Sequence, residues 1–161
     1  EKLIEAKGRG KKPLPVLVDE LSSAERIAVI SQKARELAQR FWPGPLTIVV
    51  PRKPSLPDVV TFGEPKVGVR VPNLSDTIEL IRLSGGALIG TSANKSGAPP
   101  PRSAEGVVRE LGDKVDVILD GGPSPIGVPS TVIDLSQEPP RVLREGAVSR
   151  RDLEKVLGKV L

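Results

Sequence analysis

With 161 residues, 38% hydrophobic and 27% charged, the sequence has the size and balance of one compact globular domain, expected to run over 1–161. It contains no Cys and no His, which excludes thiol nucleophiles, imidazole bases, disulfides and the usual zinc ligand sets, and leaves Lys, Arg, Asp, Glu, Ser, Thr, Asn and backbone groups, suited to handling phosphates and carboxylates by charge and positioning. The net charge of +4, from 24 basic and 20 acidic residues, gives only weak attraction to polyanions, and two Phe, one Trp and no Tyr leave no aromatic platform for stacking single-stranded bases.

No apolar run reaches the roughly 18 to 20 residues that cross a bilayer, and no charged-then-apolar leader opens the chain. The expectation is a soluble, cytoplasmic protein with no membrane partner. Absence of Met and Cys together with 17 Pro resembles the composition of proteins from hot environments. The sequence opens at Glu1 inside what reads as a helix, so a fragment is expected.

After the cationic stretch Lys2 to Lys12, Val16 to Val18 reads as a strand. Ser22 and Glu25 form a capping-box signature, and Ile27, Ile30, Ala34, Leu37 and Phe41 recur at steps of three and four, predicting one amphipathic helix that ends at Trp42-Pro43-Gly44-Pro45. Leu46 to Val50 is a β-branched strand, and Val67 to Val71 a second one with Arg70 inside it. Ser75 is expected to cap a helix carrying Ile78 and Ile81 that stops at Gly85-Gly86, before a short strand Leu88 to Gly90. Ala104, Val107, Val108 and Leu111 predict a helix ended by Gly112, followed by a strand Val117 to Leu119. Thr131 to Leu135 and Arg141 to Leu143 read as strands joined by a turn too short for a parallel crossover, and Ser149 with Asp152 caps a last helix bearing Leu153, Val156, Leu157 and Val160. Alternating strands and helices make this an α/β protein with one mixed sheet.

Three segments offer chemistry. Lys2, Lys7, Arg9, Lys11 and Lys12 place five cations within eleven residues; Lys7-Gly8-Arg9 could turn two of them toward a polyphosphate, although such charge runs are usually solvated faces. Ser92-Ala93-Asn94-Lys95-Ser96-Gly97 follows a strand, where open α/β sheets usually place ligands; its alternate polar side chains suit phosphate oxygens, and an ordinary Asx or Ser turn is the plainer alternative. In Gly121 to Thr131, glycines and prolines alternate with hydroxyls, suiting a loop that presents amides to an anion or a purely structural loop. An Arg within an apolar strand needs a partner: for Arg70 this is either an anionic ligand or an acidic side chain such as Asp134.

Taken together and in order, Lys7-Gly8-Arg9, Phe41-Trp42-Pro43-Gly44-Pro45-Leu46-Thr47, Val67-Gly68-Val69-Arg70-Val71-Pro72, Thr91-Ser92-Ala93-Asn94-Lys95-Ser96-Gly97, Ser130-Thr131-Val132-Ile133-Asp134 and Leu143-Arg144-Glu145-Gly146-Ala147 strongly resemble the YrdC-like threonylcarbamoyl-AMP synthase family. The resemblance implies a single twisted mixed sheet with helices on its faces and a basic concave groove. It implies a nucleotidyltransferase that makes threonylcarbamoyl-AMP from L-threonine, bicarbonate or carbon dioxide, and ATP, releasing pyrophosphate, with Mg2+ accompanying the nucleotide and no metal ligands of the protein's own. The product would pass to the tRNA threonylcarbamoyl-transfer machinery, with weak binding of tRNA or double-stranded RNA as a further expectation.

By the same resemblance, Lys7, Arg9, Ser92 and Asn94 are the catalytic set and hold the ATP phosphates, joined on the nucleotide by Thr91, Ser96 and Arg144, while Arg70 and Ser130 lie near the threonine. The family's opening strand and threonine-enclosing P-T-[D/E]-T-x-Y-G-L segment are not in the sequence, which is therefore expected to be N-terminally incomplete. Gly10 and Pro99-Pro100-Pro101-Arg102 depart from the family pattern. Two other readings use the same residues: an RNA-binding module without catalysis, and a YrdC-type domain of a carbamoyl-transfer enzyme of hydrogenase maturation.

Overall fold

The computed structural model describes residues 2–8, 10, 12–124 and 127–161. Arg9 of the expected K-x-R pair lies outside the described residues, as do Glu1, Lys11, Pro125 and Ile126. The chain divides into two compact units, Glu1–Lys12 with Thr91–Gly127, and Pro13–Gly90 with Val128–Leu161.

The larger unit is built on a six-stranded sheet in the order β4-β1-β3-β2-β5-β6. Its strands are β1 (Val16–Val18), β2 (Leu46–Pro51), β3 (Lys66–Arg70), β4 (Ala87–Ile89), β5 (Thr131–Asp134) and β6 (Arg141–Arg144). β1 runs parallel to β3, and β2 to β5, whereas β1/β4, β2/β3 and β5/β6 are antiparallel. The sheet is therefore mixed, as the short turn between the last two strands requires.

Register aligns the most deeply buried residues across the sheet. Val16 pairs with Val69, Val69 with Ile48 and Ile48 with Ile133, a lateral row of β-branched side chains that are almost completely buried. Each such side chain contributes about 1.5–3 kcal/mol by leaving water, and slipping any strand by one residue would turn its apolar set to the wrong face. Helices supply the facing core through Leu37, Ala38, Ile81 and Leu153, all buried.

The helices of this unit are α2 (Leu21–Ile27), α3 (Gln32–Phe41), α4 (Asp58–Thr61), α5 (Ser75–Leu83) and α7 (Arg150–Leu157). The single helix expected from Ser22 to Phe41 is in fact α2 and α3. Between them Ala28 is extended (φ −142°, ψ 159°) and bridges to Arg52, Lys53 N–H donates to the Ile27 carbonyl and Val29 N–H to that of Pro51, and the Ser31 hydroxyl caps α3 by accepting from Ala34 N–H. The apolar run Ile27-Ala28-Val29-Ile30, three of its four residues β-branched, thus pairs backbone groups with a neighbouring segment instead of continuing the helix. Nor do Ser22 and Ser75 cap: the N-cap residues are Glu20 and Leu74, and the two hydroxyls donate to Glu20 and Asp76. Ser149 caps α7 as expected, accepting from Asp152 N–H. That helix stops at Leu157, and Val160 is buried beyond Gly158, whose φ of 76° reverses the chain.

The smaller unit contains α1 (Lys2–Lys7), α6 (Ala104–Leu111) and a 3₁₀ turn, Gly112–Lys114. α6 begins at Ser103, whose hydroxyl accepts from Gly106 N–H. The strand expected at Val117 to Leu119 does not form. Among the described residues this unit has no strand to pair with, and Val117 and Leu119 are 72% and 78% exposed; three β-formers without a ladder partner remain irregular.

Asp134, 1% exposed, closes the C-terminal end of β5: Lys66 Nζ lies 2.8 Å from its Oδ2, and Ser136 donates to Oδ1 from its amide at 2.8 Å and its hydroxyl at 2.6 Å. Burial pushes this carboxyl up, but the Lys66 and Ser136 donors outweigh it and hold the group below its ordinary value. A carboxyl lowered in the folded state stabilises the fold above its unfolded pKa of about 3.9, and that stability is lost as pH falls through the folded pKa. Asp134→Asn should therefore cost about 1–3 kcal/mol at neutral pH, and the variant should lose less stability than wild type between pH 7 and pH 3 in urea unfolding. An unchanged acid dependence would contradict this role.

Candidate functional site

Two clusters of the expected site residues form, one in each unit. In the smaller unit, Lys7 ends α1 and is only 2% exposed. Its ammonium donates to the carbonyls of Ser92 and Asn94, each at 2.6 Å, and to Asn94 Oδ1 at 3.3 Å. These oxygens accept from the ammonium and hold it in place. Asn94, also buried, donates from Nδ2 to the Lys95 and Ala98 carbonyls at 2.9 and 2.6 Å, and Ser96 N–H donates to the Lys7 carbonyl at 2.9 Å. The loop 92–98 is thus wound around Lys7. Gly97, at φ 91°, closes it in a conformation that other residues adopt only with strain. Ser92 and Ser96 are exposed, and Thr91 is half-buried, so hydroxyls face outward from a loop whose centre is cationic.

In the larger unit the residues lie across the sheet face opposite the apolar row. Leu17 pairs with Arg70, Thr47 with Val132 and Val132 with Arg144; one step from the Ile48 and Val69 pair, Thr47 stands opposite Arg70. Side chains alternate along a strand, so Arg70, Thr47 and Arg144 share this face, and Ser130, two residues before Val132, joins them.

Arg70 donates from Nε to the Gly44 carbonyl at 2.8 Å. That carbonyl is fixed by a tight turn: Trp42 Nε1 donates to the Leu46 carbonyl at 2.7 Å, Gly44 N–H to that of Val71 at 2.9 Å, and a Cβ on Gly44 would stand 2.2 Å from the Phe41 carbonyl oxygen. Among the described residues no carboxylate forms an ion pair with Arg70; Asp134, the acidic partner considered from sequence, is bound to Lys66 instead. Burial, and then the neighbouring charge of Arg144, hold the Arg70 pKa below its usual value.

Arg144 donates from Nε and Nη2 to the Ser130 carbonyl at 3.0 and 2.8 Å, and from Nη2 to Ser130 Oγ at 2.9 Å. Ser130 Oγ is also 3.0 Å from the Thr47 hydroxyl, in a buried contact. Arg144, expected on the nucleotide side, therefore shares a unit and a sheet face with Arg70 and Ser130. Thr47 was not among the expected site residues. Its signal was present in the sequence, because a hydroxyl between Leu46 and Ile48 in an otherwise apolar strand sits on the face the core does not use.

Two guanidinium groups and a hydroxyl, with no acidic partner among the described residues, have the chemistry to take a small anion, and Arg presents paired donors in the plane that a carboxylate accepts. Gly146 maintains the position of Ser130: a Cβ there would stand 2.3 Å from the Pro129 oxygen and 2.6 Å from both Ser130 C and Thr131 N. All three are backbone atoms, so Gly146→Ala should destabilise the protein by about 1–3 kcal/mol, whereas Gly121→Ala, with nothing within 4 Å of the added Cβ, should leave the melting temperature unchanged. Equal melting temperatures for both variants would contradict the crowding argument.

The Sua5/YciO/YrdC family model, described as telomere recombination, matches residues 1–146. Among curated proteins, the threonylcarbamoyl-AMP synthase of Pyrococcus abyssi is 42% identical over 99% of the chain and that of Bacillus subtilis 40% identical over 99%. The chain spans about half the length of these relatives, 48% and 47%. The putative threonylcarbamoyl-AMP synthase of Mycobacterium tuberculosis is 43% identical over 97% of the chain and 72% of its own length. Among solved structures, P. abyssi Sua5 complexed with L-threonine superposes with a TM-score of 0.94 at 41% identity, over 99% of the chain and 48% of that protein. Full-length HypF in its phosphate- and nucleotide-bound form, at 20% identity and a TM-score of 0.78 over 90% of the chain and 23% of its own, shares the fold alone. The ordered motifs, the mixed six-stranded sheet and these similarities agree: the chain belongs to the Sua5/YciO/YrdC family.

Proposed function

We propose that the protein carrying this chain synthesises threonylcarbamoyl-AMP from L-threonine, bicarbonate or carbon dioxide, and ATP. The observation that carries the proposal is the pair Arg70 and Arg144 beside the Ser130 hydroxyl, with no acidic side chain paired to Arg70 among the described residues. The threonine in complex with the P. abyssi relative supports a carboxylate of that amino acid as the anion. Loop 92–98 around Lys7 supplies the phosphate end of the reading: Lys7 gives the loop its charge and shape, and the exposed Ser92 and Ser96 and the half-buried Thr91 offer hydroxyls.

The chemistry needs no nucleophile from the protein. The threonine nitrogen forms a bond to the carbon of carbon dioxide and loses a proton. A carbamate oxygen then bonds to the α-phosphorus as the bond to pyrophosphate breaks. Holding the reactants in order, and offsetting the charge of carboxylate and phosphates, are then the main catalytic devices. Magnesium is proposed as entering on the nucleotide phosphates. Delivery of the product to tRNA threonylcarbamoyl transfer, a cytoplasmic location and weak salt-sensitive RNA contact complete the proposal.

Arg70→Lys should keep the fold and ATP affinity while raising the threonine KM by roughly 10- to 100-fold, because an ammonium cannot reproduce two parallel donors. Steady-state assays with threonine varied, beside thermal melts, decide this; a lower melting temperature with unchanged threonine dependence would make Arg70 structural. Lys7→Ala should cost about 1.5–3 kcal/mol of ATP binding by calorimetry, as the loop loses its charged hub. Unchanged ATP affinity would remove loop 92–98 from the phosphate site.

A further inference from the structure

The Thr47 hydroxyl stands in the middle of the sheet-face row, between Arg70 on β3 and the Ser130 and Arg144 pair, and no role in ligand binding follows from the cation pair alone. Thr47 is 6% exposed and Ser130 7%, so both hydroxyls must find partners within the protein or a ligand. Each has one proton and two lone pairs. Among the described residues, Thr47 Oγ1 has a single hydrogen-bond partner, Ser130 Oγ at 3.0 Å. Ser130 Oγ has two, Thr47 and the Nη2 of Arg144 at 2.9 Å, and the arginine can only donate.

Two proton arrangements are possible, and they are not equivalent. If Ser130 donated to Thr47, the buried Thr47 proton would have no acceptor and Ser130 would have no donor left. If Thr47 donates, its proton is satisfied and both lone pairs of Ser130 are filled, by Thr47 and Arg144. The Ser130 O–H is then the one uncommitted donor and must point away from both. Either arrangement leaves one hydroxyl proton for a ligand to accept; in the second it belongs to the oxygen that accepts from the Arg144 guanidinium, which polarises that O–H toward an anion.

We infer that Thr47 is a positioning residue that fixes the Ser130 hydroxyl as a hydrogen-bond donor to the carboxylate held by Arg70 and Arg144. The assignment rests on the amino-acid site proposed above. It gives Thr47 a polar function distinct from its methyl, which packs at the position facing Gly68, where an added Cβ would lie 3.1 Å from Thr47 Cγ2.

Thr47→Val removes the hydroxyl at nearly constant shape, and Thr47→Ser retains it. Calorimetric titration of the full-length protein with L-threonine should show Thr47→Val binding about three- to tenfold more weakly than wild type, Thr47→Ser within about twofold of it, and Thr47→Val adding no further loss in a Ser130→Ala background, since the oriented group is then gone. Circular dichroism melts of the same variants separate misfolding from lost orientation, with Thr47→Ser as the folded reference. Equal losses from Thr47→Val in both backgrounds, no loss in wild type, or failure of Thr47→Ser to rescue would overturn the assignment while leaving the amino-acid site intact. Absence of any threonine binding by wild type would overturn the site itself, and the role of Thr47 with it.

Discussion

Arg70 and Arg144 carry like charges on neighbouring parts of one sheet face, close enough that the second lowers the pKa of the first. Such an arrangement is tolerated only because each guanidinium is fixed by neutral backbone oxygens, Gly44 for Arg70 and Ser130 for Arg144. Carbonyl dipoles hold a guanidinium in place without cancelling its charge, which remains available to an anion. Much of the surrounding construction serves those two carbonyls. The Trp42 to Pro45 turn, too tight at Gly44 for a side chain beside the Phe41 carbonyl, presents one; the close approach of Gly146 to the Pro129 to Thr131 backbone presents the other.

The smaller unit also fixes a cation on backbone carbonyls. Lys7 is buried on the carbonyls of Ser92 and Asn94, so the loop acquires its shape and its charge from one side chain. Asn94 is spent on that same loop through its own amide donors. Within the described residues Lys7 and Asn94 therefore shape the loop, while Ser92, Lys95 and Ser96 are exposed to solvent. Where the larger unit uses side-chain donors on a rigid sheet, the smaller one uses a loop stiffened by an internal charge.

The sheet was legible because short β-branched runs stand out at Val16 to Val18, Leu46 to Val50, Val67 to Val71 and Thr131 to Leu135, with period-two alternation at Val67 to Arg70, and apolar burial on one face admits only one register. The break between α2 and α3 was not, since Ile27 to Ile30 continues a helical stripe in sequence while its backbone is claimed by Pro51 and Lys53, distant along the chain. Val117 to Leu119 failed for the converse reason, local β propensity without a partner strand. At the site, Arg70 stood out because an apolar strand rarely accommodates a guanidinium. Thr47 did not, because a single threonine in a strand is ordinary, and its importance lies in what β5 and β6 bring beside it.

The central claim is that the sheet face of Arg70, Thr47, Ser130 and Arg144 receives the carboxylate of an amino acid. Calorimetric titration of the full-length wild-type protein with L-threonine and with L-threoninol, which has the amine and side chain but a hydroxymethyl group in place of the carboxylate, tests it most directly. Threonine binding with threoninol at least about tenfold weaker, the loss expected when charge-assisted hydrogen bonds to a carboxylate are removed, is the predicted result; equal affinity for the two compounds would contradict it.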